Sequence, residues 1–334
     1  AETASDYQGK AHNERLTQVA AKGFLGKVYL TMAGFPLNDT AKKAEAQQLF
    51  KEVIDYATAK NKYWMADMDA WNQSWLHEND NKYAIFEIQY IAEAGQGNPM
   101  VTLTVPSNPG TDWCGNNLVT GTHVYIERGL QRHFIAKDEI TGEYIDKRAD
   151  GTLNLKETVD EDGNIVTSEG KTFYTKYFES KVKRAKFGMS DMDATIVDRS
   201  YWPQNFQLLR IEDIMLLYAE CVGNTIEGRE LVNKIRRRAG LADLDINLSE
   251  EEFQKAVQDE RRYELAEEGV RWFDLVRRNE YVDTIKQMFF NDDDTENGTY
   301  RQYANRVNAD MYLYPIPQSQ IEVRKGLYIQ NKGY

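Results

Sequence analysis

The sequence predicts a mainly α-helical protein built from helical hairpins of tetratricopeptide type, with a loop-rich insert that contains short β-strands. On each side of the insert, apolar residues recur every three or four positions, as they do in amphipathic helices. The section between them, residues 61–207, instead contains a strand-like run at 83–91 and a stretch at 95–121 that is rich in glycine, proline and asparagine. We therefore expect one domain over 1–334, divided into a helical hairpin (1–60), the insert (61–207) and further helical repeats with an extended C-terminal segment (208–334).

The first hairpin is predicted from apolar positions that fall near a 3.6-residue period. Gly34 is placed to end its first helix, and Thr40 is placed to cap its second. Small side chains on the first helix would let the two helices approach closely, as stacked hairpins require. These small residues are Ala20, Ala21, Gly23 and Gly26, and the predicted buried stripe of the second helix is Leu49, Phe50, Val53 and Ala57.

The insert contains two strand signals. Residues 83–91 form a strand-like run, and Asp162-Gly163 is the dipeptide of a tight β-hairpin turn within residues 155–166. Residues 95–121 are dominated by glycine, proline and asparagine, which favour loops. Because loops held by a rigid scaffold concentrate binding residues, we expect the insert to form the ligand-binding face.

A second hairpin is predicted after residue 208. Ile211, Ile214, Met215, Tyr218, Ala219 and Val222 lie on one face of its first helix, and the second helix stops at Gly240. Ser249 and Glu252 then form a capping box ahead of a long helix, which Gly269 interrupts. Stacked arrays of this type generally need three or more repeats, so the spacing also predicts neighbouring repeats upstream of the first hairpin.

The charge balance excludes one class of partner. There are 41 lysines and arginines against 53 acidic residues, and the net charge of −12 repels nucleic acid and anionic lipid. The basic run from Lys234 to Arg238 lies at a predicted helix C-terminus, where cations complement the dipole, so we interpret it as structural. No apolar stretch approaches the roughly 20 residues of a membrane span. Two cysteines, Cys114 and Cys221, give no disulfide framework and no zinc site.

No catalytic constellation can be assembled from the sequence. It lacks an i, i+4 histidine pair for zinc, a G-x-S-x-G elbow and a P-loop. The acidic run 292–298 places Asn297 and Tyr303 where a calcium loop needs Gly and Glu, so we interpret it as a solvated loop. With 53 acids, pairs of carboxylates suited to glycoside hydrolysis are always available and carry no specificity. We therefore predict no enzyme activity, no metal and no cofactor.

A glycine-rich polar loop contains the best candidate ligand site. Sugars present C–H faces to aromatic rings and hydroxyl groups to amide, carboxylate and guanidinium groups. A tryptophan in this loop can stack on a sugar or can anchor the loop to the core, and the sequence favours neither alternative. Trp71 and Trp75, four residues apart in a helix-like stretch, are predicted to be core. The predicted ligand-binding residues are Trp113, Asn116, Asn117, Tyr125 and Arg132.

Four ordered motifs in the second half of the chain resemble those of the SusD/RagB family. Residues 210–220 read R-I-E-D-I-M-L-L-Y-A-E, and residues 232–241 read V-N-K-I-R-R-R-A-G-L. Residues 260–275 read E-R-R-Y-E-L-A-E-E-G-V-R-W-F-D-L. The chain closes with Y-P-I-P-Q at 314–318 and Q-N-K-G-Y at 330–334.

Three positions depart from the family pattern. Glu212 and Cys221 stand where the first motif usually has alanine, and Lys332 stands where a proline is more common. The first hairpin and residues 84–90 also resemble the family's middle section, whereas most of the insert resembles nothing specific. The chain is thus identified as a member of the family, corresponding to its C-terminal part, with the family's N-terminal repeats and acylated cysteine outside it.

The resemblance implies a SusD-like α-α superhelix and a function without catalysis. Family members are lipid-anchored nutrient-binding proteins on the outer-membrane surface of Bacteroidetes, and they serve polysaccharide utilization. The implied ligand is a glycan, or alternatively a peptide, which is delivered to a SusC-like TonB-dependent transporter. The alternatives that stay open are a glycoside hydrolase and a helical-repeat adaptor for protein partners.

Charged residues of the third motif are predicted to be structural. Glu260, Arg261, Glu264, Glu268 and Arg271 are spaced by one, three and four along a helix, so they can form ion pairs beneath Trp272. We expect Glu260, Arg261 and Arg271 to be at least partly buried and paired with each other. A ligand clamp made of the same residues is the alternative.

Overall fold

The computed structural model describes the chain in segments separated by short gaps. The helices are α1 (Gln18–Ala33), α2 (Lys42–Lys60), α3 (Met68–Gln73), α4 (Met100–Thr104), α5 (Arg128–Ile135), α6 (Ala149–Thr152), α7 (Lys181–Lys186), α8 (Ile211–Val222), α9 (Ile226–Arg238), α10 (Glu250–Glu264), α11 (Arg271–Arg277), α12 (Tyr281–Asn291), α13 (Thr299–Arg306) and α14 (Gln318–Val323). The strands are β1 (Ala84–Ile88), β2 (Glu157–Val159), β3 (Ile165–Thr167) and β4 (Phe206–Arg210). The described residues are 16–76, 81–93, 95–104, 126–155, 157–159, 165–167, 172–179, 181–189, 202–291, 299–324 and 326–334.

The mainly α-helical class and the shared helical body are confirmed. Helix α1 packs on α2, α2 packs on α8, and α8 packs on both α9 and α10. One apolar core joins the two hairpins, although about 150 residues of sequence separate them. Its buried members include Val19, Leu30, Phe50, Val53, Ile214, Leu216, Tyr218, Val232, Ile235, Phe253 and Val257.

Glycines permit the close packing of α1. A methyl group built on Gly23 would lie 2.6 Å from Leu209 Cδ2, and one on Gly26 would lie 2.6 Å from Phe50 Cε1. Gly34 ends the helix as predicted, but its backbone is extended, with a φ of −98°. Glycine is required there because a Cβ would lie 2.1 Å from the carbonyl oxygen of Arg277. The second half of the chain thus determines this residue choice in the first.

Most predicted helix ends match the structure, and one does not. Ser249 and Glu252 form the complete capping box of α10. Gly240 follows α9 with a φ of +80°, the left-handed conformation that favours glycine. The predicted Thr40 cap is wrong, because α2 begins at Lys42 after Ala41 and its first turn receives no side-chain hydrogen bond.

The insert is closed at its base by two strands. Strand β1 pairs antiparallel with β4, placing Ala84 opposite Arg210 and Ile88 opposite Phe206. Strand β4 leads directly into α8, so this pair fixes where the insert leaves and rejoins the helical body. The predicted β-hairpin is confirmed as β2 and β3 with Val159 opposite Ile165, and its Asp162-Gly163 turn lies outside the described residues.

Aromatic side chains hold the insert against the helical body. Trp71, Trp75 and Trp202 are fully buried, which confirms the core role predicted for Trp71 and Trp75. The rings of Trp71 and Trp75 meet edge to face at 5.8 Å, and Trp75 meets Tyr177 at 5.6 Å. Trp64 is half-buried, with Lys234 Nζ 4.2 Å from its ring centroid. None of the helices in the described segments combines the length and apolar character of a membrane span.

Candidate functional site

The predicted ligand-binding loop is only partly placed by the structure. Trp113, Asn116, Asn117 and Tyr125 lie outside the described residues, so their arrangement stays a prediction. Arg132 is described, and its side chain is exposed on α5. The described residues on both sides of the loop, at Thr104 and at Ile126, show where the loop leaves and rejoins the fold.

The C-terminal end of the loop is fixed by Glu127. Its carboxylate accepts hydrogen bonds from the backbone N–H groups of Gly129 at 2.8 Å and Leu130 at 2.9 Å, and so caps α5. The same carboxylate forms an ion pair with Arg262 on α10. Helix α5 is therefore tied to the helical body at the residue where the loop ends.

A cleft of about 1200 Å³ lies beside this anchor. It runs between α10 and α12, and the N-terminal end of α5 and the turn between α10 and α11 also line it. Its size exceeds that of a typical small-molecule pocket, and its lining combines charged, polar and apolar side chains. Its lining includes Glu127, Tyr174, Gln254, Gln258, Arg262, Glu267, Arg271, Trp272, Asp283 and Gln287.

Glu267 lies in the cleft wall, in the turn between α10 and α11. Its backbone has a φ of +70°, an uncommon conformation for a residue with a side chain. One carboxylate oxygen, Oε2, accepts a hydrogen bond from the backbone N–H of Lys176 at 3.0 Å. Burial raises the pKa of Glu267 to about 8, although Lys176 and the Thr104 hydroxyl favour the ionised form. The carboxyl is thus mostly protonated at pH 7, and its hydrogen bond with Lys176 connects the turn after α10 to residues 172–179 of the insert.

Arg271 contradicts the predicted pairing. Its side chain is half-buried, and no carboxylate of the described residues lies within 4.0 Å of it. The turn over residues 265–270 ends α10 and starts a new helix, so Arg271 does not share a face with Glu260 and Arg261. Burial, followed by the positive charge of Arg262, lowers the pKa of Arg271. The predicted pairing is wrong because it counted Arg271 on the same helix as Glu260 and Arg261, although Gly269 was expected to interrupt that helix.

Glu260 and Arg261 are buried as predicted, but each pairs with residues other than the expected ones. Glu260 accepts a hydrogen bond from Arg148 at 2.7 Å, and Arg236 lies 3.4 Å away. Arg261 binds Asp213 of α8 at 2.8 Å and Asp274 of α11 at 2.9 Å. These contacts connect separate elements of the fold, which supports a structural role for both residues.

Glu264 is at the centre of a buried ionic network. Arg148, Arg210 and Arg238 each place a guanidinium nitrogen 2.6 to 2.8 Å from its carboxylate, and Trp71 Nε1 donates to it at 3.2 Å. Burial alone would raise its pKa, but the three cations together hold the pKa of Glu264 well below its usual value. The network joins the insert, β4, α9 and α10 at one point.

Lys176 is a buried cation that sequence reasoning missed. Its Nζ donates to the carbonyl oxygens of Glu264 at 2.9 Å and Ala266 at 2.7 Å, and to Glu268 Oε1 at 2.8 Å. The nitrogen also lies 4.8 Å from the ring centroid of Trp75. Lys176 therefore caps the C-terminal end of α10 from the insert side. A lysine inside the aromatic run Phe-Tyr-Thr-Lys-Tyr-Phe at 173–178 was the available signal for burial.

The described part of the cleft is equipped for binding. It presents guanidinium, amide and carboxyl groups together with the Trp272 ring, which meets Tyr281 edge to face at 5.7 Å. Within the described segments, no group of three or more His, Cys, Asp or Glu side chains could hold a metal ion. The calcium candidate at 292–298 lies outside those segments.

The relatives found by comparison with known proteins agree with one another. The sequence profile of the SusD family matches residues 60–334. SusD-like protein P25 of Formosa agariphila is 29% identical over 139 residues, which are 38% of this chain and 24% of that protein. The chain therefore matches about a quarter of the length of this curated relative.

Solved structures share the fold over nearly the whole chain. A SusD homolog from Bacteroides thetaiotaomicron superposes with a TM-score of 0.73 at 21% identity, covering 99% of this chain and 66% of that one. Surface glycan-binding protein A from the same organism, in complex with laminarihexaose, has a TM-score of 0.65 at 17% identity, covering 97% and 66%. The family profile spans well over half of the sequence, and the chain belongs to the SusD family.

Proposed function

We propose that this protein binds a glycan at the bacterial cell surface and delivers it to a SusC-like TonB-dependent transporter. Membership of the SusD family supports this function. A structural neighbour with the same fold is a surface glycan-binding protein that holds laminarihexaose, which supports a glycan as the ligand class. The proposal includes attachment to the outer membrane through a lipid anchor, and it requires neither catalysis nor a cofactor.

The anchoring of Glu127, which follows residues 105–125 in the chain, is the observation that supports the choice of site. Its carboxylate forms an ion pair with Arg262 of α10 and accepts the backbone hydrogen bonds that cap α5. Segments held next to a rigid scaffold are where binding residues concentrate. We propose that Trp113 stacks on a sugar ring, with Asn116, Asn117, Tyr125 and Arg132 contacting its hydroxyl groups.

Glycan binding by the Trp113→Ala variant tests this site. Loss of a stacking anchor costs about 2 kcal/mol or more, so affinity should fall at least about thirtyfold. The assay is isothermal titration calorimetry against the best ligand found on an immobilised glycan panel. Tyr314→Ala is a matched control, because Tyr314 is 79% exposed and lies outside the cleft lining.

Three results would contradict the proposal. Unchanged affinity in Trp113→Ala, with a normal melting temperature, would remove the loop from the site. Release of reducing ends from any bound polysaccharide would show catalysis and favour a glycoside hydrolase instead. Binding of peptides without binding of sugars would replace the ligand class.

A further inference from the structure

Arg271 differs from the other buried arginines of the described fold. Arg148, Arg210, Arg238, Arg261 and Arg277 each have a carboxylate oxygen at 2.6 to 2.8 Å. Arg271 faces the cleft, and no carboxylate of the described residues lies within 4.0 Å of its guanidinium group. Partial burial of a cation without a counter-ion is unfavourable, because the charge loses hydration and gains no attraction in return.

The acidic groups whose charges act on Arg271, which are Asp274, Asp259 and Glu280, already have cationic partners. Asp274 binds Arg261 and Arg277, both at 2.9 Å. Asp259 pairs with Lys255, and Glu280 lies 3.4 Å from Arg278. Arg262, the neighbouring cation, is paired with Glu127. Among the described residues, the groups around Arg271 therefore leave one positive charge in the cleft without a direct counter-ion.

The remaining lining residues suit a sugar. Gln254, Gln258 and Gln287 have amide groups that both donate and accept hydrogen bonds, which matches sugar hydroxyl groups. Trp272, next to Arg271 in the chain, contributes an aromatic ring to the same cleft. Tyr174 lines the cleft on the insert side.

We propose that this cleft binds an acidic glycan, whose carboxylate or sulfate ester forms an ion pair with Arg271. The inference rests on the proposed function, since it takes the ligand to be a glycan. It adds a contact surface that begins at Glu127. A guanidinium group matches the planar oxygen pair of a carboxylate or sulfate in a bidentate arrangement.

The ligand carries few acidic groups. Asp283 and Glu251 also line the cleft, and the whole chain has a net charge of −12, so a densely charged polyanion is repelled. A mainly neutral oligosaccharide with one acidic substituent places a single anion at Arg271 and neutral sugars against the glutamines. Such binding weakens as salt concentration rises, because salt screens the ion pair.

The test is binding of the full chain to an immobilised panel of matched oligosaccharides. Aldotetraouronic acid is compared with its carboxyl-reduced form, and a monosulfated galacto-oligosaccharide with its desulfated form. We expect the acidic member of at least one pair to bind more tightly, and the pair that responds identifies carboxylate or sulfate. Arg271→Gln should weaken acidic binding at least about thirtyfold and leave neutral binding unchanged.

Control variants separate binding from folding. Arg271→Lys keeps the charge and should retain part of the affinity. Arg237→Gln removes the same charge from an exposed arginine that lies outside the cleft and should bind normally. Arg271→Gln should melt like the parent protein, because it breaks no ion pair.

Each other outcome contradicts a different statement. Equal binding of acidic and neutral members would refute the acidic class and leave glycan capture intact. Acidic binding that persists in Arg271→Gln would refute the role of this residue. Absence of binding to every glycan would overturn both the proposed function and this inference, and Arg271-dependent binding of an acidic peptide would replace the ligand class.

Discussion

Replacement of Arg148 is the most direct way to test how the insert is held to the helical body. Arg148 is fully buried and donates to Glu260 at 2.7 Å and to Glu264 at 2.8 Å, both on α10. Its Nη2 also donates to Asp146 at 2.7 Å. Arg148→Met keeps a long apolar side chain in place and so limits cavity formation, while three buried carboxylates lose their shared cation.

The expected loss of stability is at the lower end of the range for a broken buried pair. Such changes cost about 3–5 kcal/mol, because the stranded charge stays desolvated. Each carboxylate keeps at least one other partner: Glu264 retains Arg210 at 2.7 Å and Arg238 at 2.6 Å, Glu260 retains Arg236 at 3.4 Å, and Asp146 retains His133 at 2.8 Å. We therefore expect a decrease of about 3 kcal/mol in the free energy of unfolding at pH 7.

The pH dependence of this difference gives a second measurement. The pKa values of Asp146 and Glu264 are lowered in the folded parent protein by neighbouring cations that outweigh burial. Their stabilisation is therefore present above the unfolded-state values near pH 4 and is lost as the pH falls toward the folded values. In Arg148→Met the stranded carboxylates protonate more readily, so the stability gap should narrow between pH 7 and pH 4.

Urea unfolding monitored by tryptophan fluorescence measures this gap, and Arg237→Met is the matched control. Arg237 pairs with Glu230 and Asp243 at the surface, with 47% of its side chain exposed, so its replacement should lower the free energy of unfolding much less than Arg148→Met does. Equal losses in the two variants would show that the buried network does not hold the insert. A gap that widens at low pH would refute the electrostatic explanation.

Three further changes test other parts of the structure. Gly34→Ala should destabilise the fold by about 1–3 kcal/mol in thermal unfolding, because its Cβ would lie 2.1 Å from Arg277 O; no loss would show that this contact relaxes freely. Glu267→Gln should lower the free energy of unfolding only slightly at pH 7, where the parent carboxyl is mostly protonated. Because its folded pKa of about 8 lies above the unfolded value, parent stability should fall from about pH 4.5 to pH 8, and the variant should lack that slope in urea titrations. Burial raises the pKa of Cys221 to about 12, so in a Cys114→Ser background it should react with iodoacetamide only after unfolding, and rapid native labelling would contradict its burial.

Local sequence patterns determined the helices and most of their ends. The three- and four-residue spacing of apolar side chains predicted α8 and α9, and the Ser249–Glu252 pair predicted the start of α10. These features depend on residues within one or two turns of each other, so they can be recognised without knowledge of the fold. Ordered motifs over 208–334 likewise indicated the family from sequence alone.

The sequence could not reveal which charges are paired. Arg148 and Glu260 are separated by 112 residues, and Lys176 lies 88 residues before the carbonyl group that it caps. Gly269 indicated a break in the helix, but it did not indicate that the turn at 265–270 places Arg271 in the cleft and away from Glu260 and Arg261. Glu212 and Asp213 are also buried on α8, where they pair with Arg238 and Arg261 from other helices. The sequence did not reveal these partners either.

The sequence by itself therefore determined the helical class, the hairpins, the insert and the family, because each follows from short-range periodicity or from ordered motifs. The tertiary structure alone decided the cleft, the ionic network beneath it and the position of Arg271, which has no ion-pair partner in the described part of the chain. An ion pair depends on the distance between side chains, and that distance is set only when the insert folds back onto α10. Sequence separation carries almost no information about this distance.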